Sequence, residues 1–265
     1  MRRRPRPLTV PRVLHLAAGL AVGYLLVPLV GLVGNVPWRE LPRLLGDPLV
    51  LDAMRLSAIT SIGATVLAAV LGLPLAVVLA RSSFPGRRLV RGLVLLPLVL
   101  PPVVGGAALL FALGRGGILG APLYRATGLV LPFSTAGAVL AATFVSLPFL
   151  VVTVEAALAG LDPRRELAAA TLGAGSWTIL RRVTLPAVAP SVASGLLLTW
   201  ARALGEFGAT ITFAGNLPGR TRTLPLAVFV ALEHDRPKAV ALGLLLVVVA
   251  LGVLVALRGR WWRTS

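Results

Sequence analysis

The chain has 265 residues, of which 57% are hydrophobic and 13% charged, with a net charge of +17 and no Cys. A soluble domain carries roughly 25% charged residues, so too few charges remain to cover a water-soluble globule, and disorder is excluded by the apolar content. Disulfides, thiolate zinc sites and Cys nucleophiles are absent as well. In a soluble protein the charge would suggest nucleic acid. In a membrane protein it reflects basic loops on the inner side, and no nucleic-acid partner is expected.

In chain order, six stretches lack Asp, Glu, Lys and Arg: Val13–Trp38, Leu56–Ala80, Gly92–Gly114, Ala126–Val154, Val183–Ala201 and Ala239–Leu257. Each is a continuous Leu/Val/Ala block without the alternation of a membrane strand, and each approaches or exceeds the ~20 residues that cross a bilayer as a helix. The reading is an all-α integral membrane protein with six transmembrane helices, at approximately 13–34, 54–80, 90–114, 132–155, 187–213 and 238–258. The fifth is expected to run past Arg202 and Glu206 toward Phe213. One membrane domain covers 1–265, with no soluble domain and no internal repeat.

The start, MRRRPRPLTVPR before an apolar run, imitates a secretory signal. The run is long for a signal core and five more spans follow, so it is read as a retained first helix. With the N-terminus inside, the inner segments hold twice as many basic residues as the outer ones. The outer set is Arg39, Arg43, Arg115, Arg125, Arg220, Arg222, Arg236 and Lys238. This excess predicts both termini inside, N-in/C-in, in the cytoplasmic membrane of a prokaryote.

Lys238 is the only Lys and follows Pro237, so no Walker A loop exists. His15 and His234 form no H-E-x-x-H pattern, and no G-x-S-x-G elbow occurs. The chain is therefore not read as an enzyme, and no metal site or cofactor is expected. Uphill transport would need a partner ATPase or an ion gradient. An ion-driven secondary transporter would need titratable groups near the midplane and often a repeat.

The inner loop at approximately 160–186 reads LDPRRELAAATLGAGSWTILRRVTLP over Leu161–Pro186. Asp162 is a plausible N-cap with Pro163 at the first helical position. Glu166 favours the positive end of that helix, and Gly173 supplies its stop. A second short helix is expected over Ser176–Arg182. By itself this pattern also fits an amphipathic loop whose arginines meet anionic lipid.

Its spacing resembles the EAA loop of permease subunits of type I ATP-binding-cassette importers. Ala168-Ala169 precede Gly173 at the family's distance. Val183 lies ten residues beyond Gly173, and Leu185-Pro186 complete the pattern. The Glu position is Leu167, and the nearest acid is Glu166. The upstream Glu155-Ala156-Ala157 has Leu161 where Gly is required, so it is not the motif. The resemblance implies a coupling helix seated in a groove of an ATPase subunit, carried here by Arg164, Glu166, Leu167, Ala168, Ala169, Gly173, Ala174, Val183, Leu185 and Pro186.

In the fifth span, Arg202 and Glu206 are four apart and are expected on one helix face. Charges within a span are costly, face the protein interior or a wet path, and pair. They are read as an interhelical clamp or as groups beside a gated path. Thr210 and Thr212 would offer hydroxyls to an oxyanion or bond their own backbone. The phrase ARALGEFGATITFAGN followed by PGRTRTLP is similar to the molybdate or tungstate branch of the family, with sulfate permeases sharing the ARALGE core. The resemblance implies a homodimer, two cytoplasmic ATPase subunits that bind ATP and Mg, and an extracytoplasmic oxyanion-binding protein. Inward transport would proceed by alternating access. A sulfate or thiosulfate importer is the alternative within the family.

Overall fold

The computed structural model describes residues 11–261. The basic start Met1–Val10, counted above toward orientation, and the residues after Trp261 lie outside the described residues. The described chain is helical throughout its regular structure, with thirteen α-helices and no strand among the described residues. They are α1 Arg12–Gly34, α2 Leu41–Leu45, α3 Pro48–Arg81, α4 Arg87–Val99, α5 Pro102–Leu113, α6 Gly120–Thr127 and α7 Thr135–Ala159. Then follow α8 Pro163–Thr171, α9 Ser176–Ile179, α10 Leu185–Leu204, α11 Gly208–Phe213, α12 Leu224–His234 and α13 Arg236–Trp261. A π-helical turn, Leu180–Thr184, joins α9 to α10.

Local chemistry fixes several starts. Asp47 accepts from the Leu49 amide at 2.8 Å, with Pro48 opening α3. Ser134 accepts from the Gly137 amide at 3.0 Å to open α7. Both satisfy amide groups that a helix start leaves without a partner.

Five helices are long and apolar enough to cross a membrane, and a bent pair brings the number to six among the described residues. The expected third span is that pair. α4 and α5 meet at 119° across Leu100-Pro101, so the Gly92–Gly114 stretch is not one straight rod. The fifth span also differs from its expected course. α10 ends at Leu204, Gly205–Phe207 break the chain, and the short α11 follows. Conversely, the helix expected to end at Arg182 continues through the π turn, so Ser176–Leu204 is one 29-residue rod. The segment between the fifth and sixth spans contains the apolar helix α12.

Lipid is as apolar as Leu, so helices associate in it by close packing of small residues rather than by burying oil. The bundle centre follows that rule. Ala64 of α3, Ala142 of α7 and Ala203 of α10 pack together, all buried. A larger cluster around Leu79, Leu150, Val154 and Val188 joins the same three helices near the end that carries α8. α12 and α13 pack on the opposite end of α3 through Val50, Ala53, Leu224 and Leu242. α1 has no buried residue, and its Leu32 faces α13 at Gly243.

Candidate coupling loop and membrane gate

α8 begins as its sequence dictates. The Asp162 carboxylate accepts from the Arg164 amide at 3.0 Å and Pro163 takes the first turn. It ends at Gly173, where φ is +82°. There the Ala174 amide bonds the Ala169 carbonyl at 3.1 Å and the Gly173 amide bonds the Ala170 carbonyl at 3.0 Å. This is a Schellman ending, and its left-handed residue is the reason for glycine.

The residues singled out along this loop lie on α8, the turn after it, the π turn and the first turn of α10. Arg164, Leu167, Ala168, Gly173 and Pro186 are exposed; Ala169, Ala174, Val183 and Leu185 are half-buried. Three large apolar side chains stand out from it: Leu167 at 62%, Leu172 at 89% and Trp177 at 67% exposure. Arg181 lies over the Trp177 ring at 5.8 Å. Large apolar side chains exposed together on one short loop beside charged groups are a feature of interaction sites. Leu172 and Trp177 were not singled out from the sequence, because an apolar residue reads as core until its exposure is known.

Glu166 takes an unexpected direction. Its Oε1 accepts from Arg81 Nη2 at 2.8 Å and from Thr184 Oγ1 at 2.8 Å. Neither partner was legible: Arg81 lies 85 residues away and Thr184 18. The rejected Glu155 is structural, accepting from Arg91 Nε at 2.7 Å to tie α7 to α4.

The second region is the break between α10 and α11. Arg202 Nη1 lies 2.6 Å from Glu206 Oε2. The two do not share one helix face, because α10 ends between them; the turn at Gly205 brings them together instead. Glu206 is 2% exposed, and its other oxygen accepts from the Ala209 amide at 2.7 Å, capping α11. The carboxylate thus faces a cation and the positive end of a helix, which offsets the cost of burying it.

α11 lies against α5 almost backbone to backbone. A Cβ on Gly106 would sit 2.7 Å from the Ala209 carbonyl oxygen, and one on Gly208 2.8 Å from Pro102 Cβ. Of the two threonines, Thr212 donates to the Gly208 carbonyl at 2.9 Å, so its hydroxyl serves its own backbone. Thr210 is fully buried and its hydroxyl has no partner.

Comparison with known proteins shows which family the chain belongs to. Residues 72–261 match the family described as "Binding-protein-dependent transport system inner membrane component". The molybdenum transport system permease protein ModB of Mycobacterium tuberculosis is 48% identical over 254 residues, 96% of each chain. The protein of that name from Escherichia coli is 44% identical over 190 residues, 72% of this chain and 83% of its own. The sulfate transport system permease protein CysT of E. coli is 35% identical over 237 residues, 88% of this chain and 85% of its own. Among solved structures, a bacterial transporter importing the acidic polysaccharide alginate superposes with a TM-score of 0.73 at 19% identity, covering 95% of both chains. The MetNI methionine transporter in inward-facing form gives 0.63 at 17%, covering 82% of this chain and 96% of that one. A family match over most of the chain, the relatives' identity across nearly its whole length and the shared helical fold agree: the chain belongs to the inner-membrane permease components of binding-protein-dependent ATP-binding-cassette importers.

Proposed function

We propose that this chain is the membrane-spanning subunit of an ATP-driven importer that moves molybdate inward. The observation that carries the reading is 48% identity to a molybdenum permease over 96% of both chains, against 35% for the sulfate permease. Tungstate shares the charge and shape of molybdate and is expected to use the same path. The chain works as a homodimer with two ATPase subunits, which hold ATP and Mg, and one oxyanion-binding protein on the opposite face. Orientation is N-in/C-in, with α8 in the cytoplasm, supported by the basic excess on that side.

α8 docks on the ATPase through Leu167, Leu172 and Trp177, a surface whose exposure supports a protein partner. Its movement passes along the single rod Ser176–Leu204 as a rigid body. That rod ends at the Arg202–Glu206 break, so displacement at α8 shifts α11 against α5. The α5–α11 contact is then the gate. Opening it exposes Thr210 and the backbone around Gly208 to the anion. Such groups lower the desolvation cost of a dianion without binding it tightly.

Vesicles containing the whole complex test this reading with labelled molybdate, tungstate and sulfate. ATP-dependent uptake of molybdate that excess sulfate does not suppress is the expected result. Sulfate uptake that molybdate does not inhibit would overturn it. Orientation has its own test: a Cys at Ser176 resists an impermeant thiol reagent in intact cells, and one at Gly219 reacts.

A further inference from the structure

Glu166 sits on the helix that carries the exposed apolar surface, yet it points the other way. Arg81 ends α3, Glu166 belongs to α8, and Thr184 closes the π turn that opens α10. One carboxylate oxygen holds both partners, each at 2.8 Å. Thr184 is 3% exposed, and the Arg81 and Glu166 side chains remain partly open. Beside this junction a cavity of about 640 Å³ opens between α8 and α3, lined by Val77, Leu167, Ala170, Ile179 and Leu180. Apolar packing therefore does not fill the space between the two helices, and the polar junction bridges its edge.

α8 is joined to the chain through turns, Gly160–Asp162 on one side and Leu172–Gly175 on the other, and it packs against α9 and the π turn. Turns are compliant, whereas charge-assisted hydrogen bonds are directional and roughly twice as strong as neutral ones. A partly exposed ion pair contributes little to stability. Its consequence is geometric: α3 and α10 follow α8 while it holds. We infer that Glu166 is a positioning residue that links α8 to both spans, so that the Arg81–Glu166–Thr184 junction sets how much anion is moved per ATP hydrolysed. The inference rests on the reading that α8 docks on the ATPase.

The whole importer, with its ATPase and binding protein in vesicles loaded with ATP, provides the test. Hydrolysis and labelled molybdate uptake are measured in the same preparation. Glu166→Gln keeps an acceptor for Thr184 and loses the charge facing Arg81; Glu166→Ala loses both. The ATPase stays associated in each and hydrolysis continues. Molybdate moved per ATP falls about five- to tenfold in Glu166→Ala, at the low end of linked-site coupling, and less in Glu166→Gln. Arg81→Glu lowers the ratio, and adding Glu166→Arg to it restores most of the loss. A wild-type ratio in Glu166→Ala, or hydrolysis and uptake falling in proportion, overturns the inference. Leu172→Arg, on the exposed face and away from the junction, separates the two readings. It releases the ATPase if α8 is the docking helix, and retention of the ATPase overturns the docking reading whatever the Glu166 variants do.

Discussion

Arg202 and Glu206 meet at 2.6 Å across the end of a helix rather than along one, and Glu206 also caps the next helix through the Ala209 amide. The pair therefore joins α10 to α11 at the point where the proposed gate begins. Removing one partner of a buried pair costs about 3–5 kcal/mol, because the other charge is left uncompensated.

Glu206→Ala is expected to lose most uptake and to lower thermal stability. The double variant Arg202→Ala with Glu206→Ala recovers part of that loss, keeping only the deficit of the lost cap, about 1 kcal/mol. Unfolding in detergent and uptake of the two single variants and the double variant measure this. Additive losses would show that the charges are not coupled.

Gly173 ends α8 at φ +82°, where a β-branched side chain is disfavoured by roughly 1–2 kcal/mol. Gly173→Val should release the ATPase while membrane insertion persists. Gly175→Val is the matched control. Gly175 has φ −69° and nothing lies within 4 Å of its added Cβ, so ATPase retention stays at the wild-type level. Co-purification of the ATPase with each variant decides the comparison.

The α5–α11 approach predicts a steep size dependence. Gly106→Ala places a methyl group 2.7 Å from the Ala209 carbonyl oxygen and 2.8 Å from Thr212 Cβ. Overpacking of this kind costs about 1–3 kcal/mol. Uptake should fall while ATPase association is retained, because α8 lies elsewhere in the fold. Gly92→Ala, with nothing within 4 Å, should transport as wild type.

Lys238 at the start of α13 donates to Asp47 at the cap of α3. That bond, followed by the one from the Leu49 amide, holds the Asp47 carboxyl below its usual range. A depressed carboxylate contributes stability above its unfolded pKa, about 3.9, and loses it as pH falls through the lower native value. Asp47→Asn should therefore unfold at a lower temperature than wild type near neutral pH. The gap should close below about pH 4, which thermal unfolding across pH would show.

Composition and unbroken apolar blocks determined by themselves that the chain lives in a membrane, because backbone groups in lipid must bond within a helix. α8 was equally legible, since its cap at Asp162 and its left-handed stop at Gly173 are set by neighbours within a few residues. The breaks in the third and fifth spans were not. Pro28, Pro74, Pro148 and Pro190 all lie inside continuous helices here, so a proline in an apolar run does not by itself say where a span bends. The bend at Leu100-Pro101 and the break at Gly205–Phe207 are accompanied by α5 and α11 lying backbone to backbone, a contact between segments about a hundred residues apart. The direction of Glu166 belongs to the same class. Its helix position follows from its sequence, but the choice between facing a partner and facing Arg81 and Thr184 depends on which ends the bundle brings beside it. Local hydrogen bonding fixes helices and their caps; only packing across the bundle decides which polar side chains find each other.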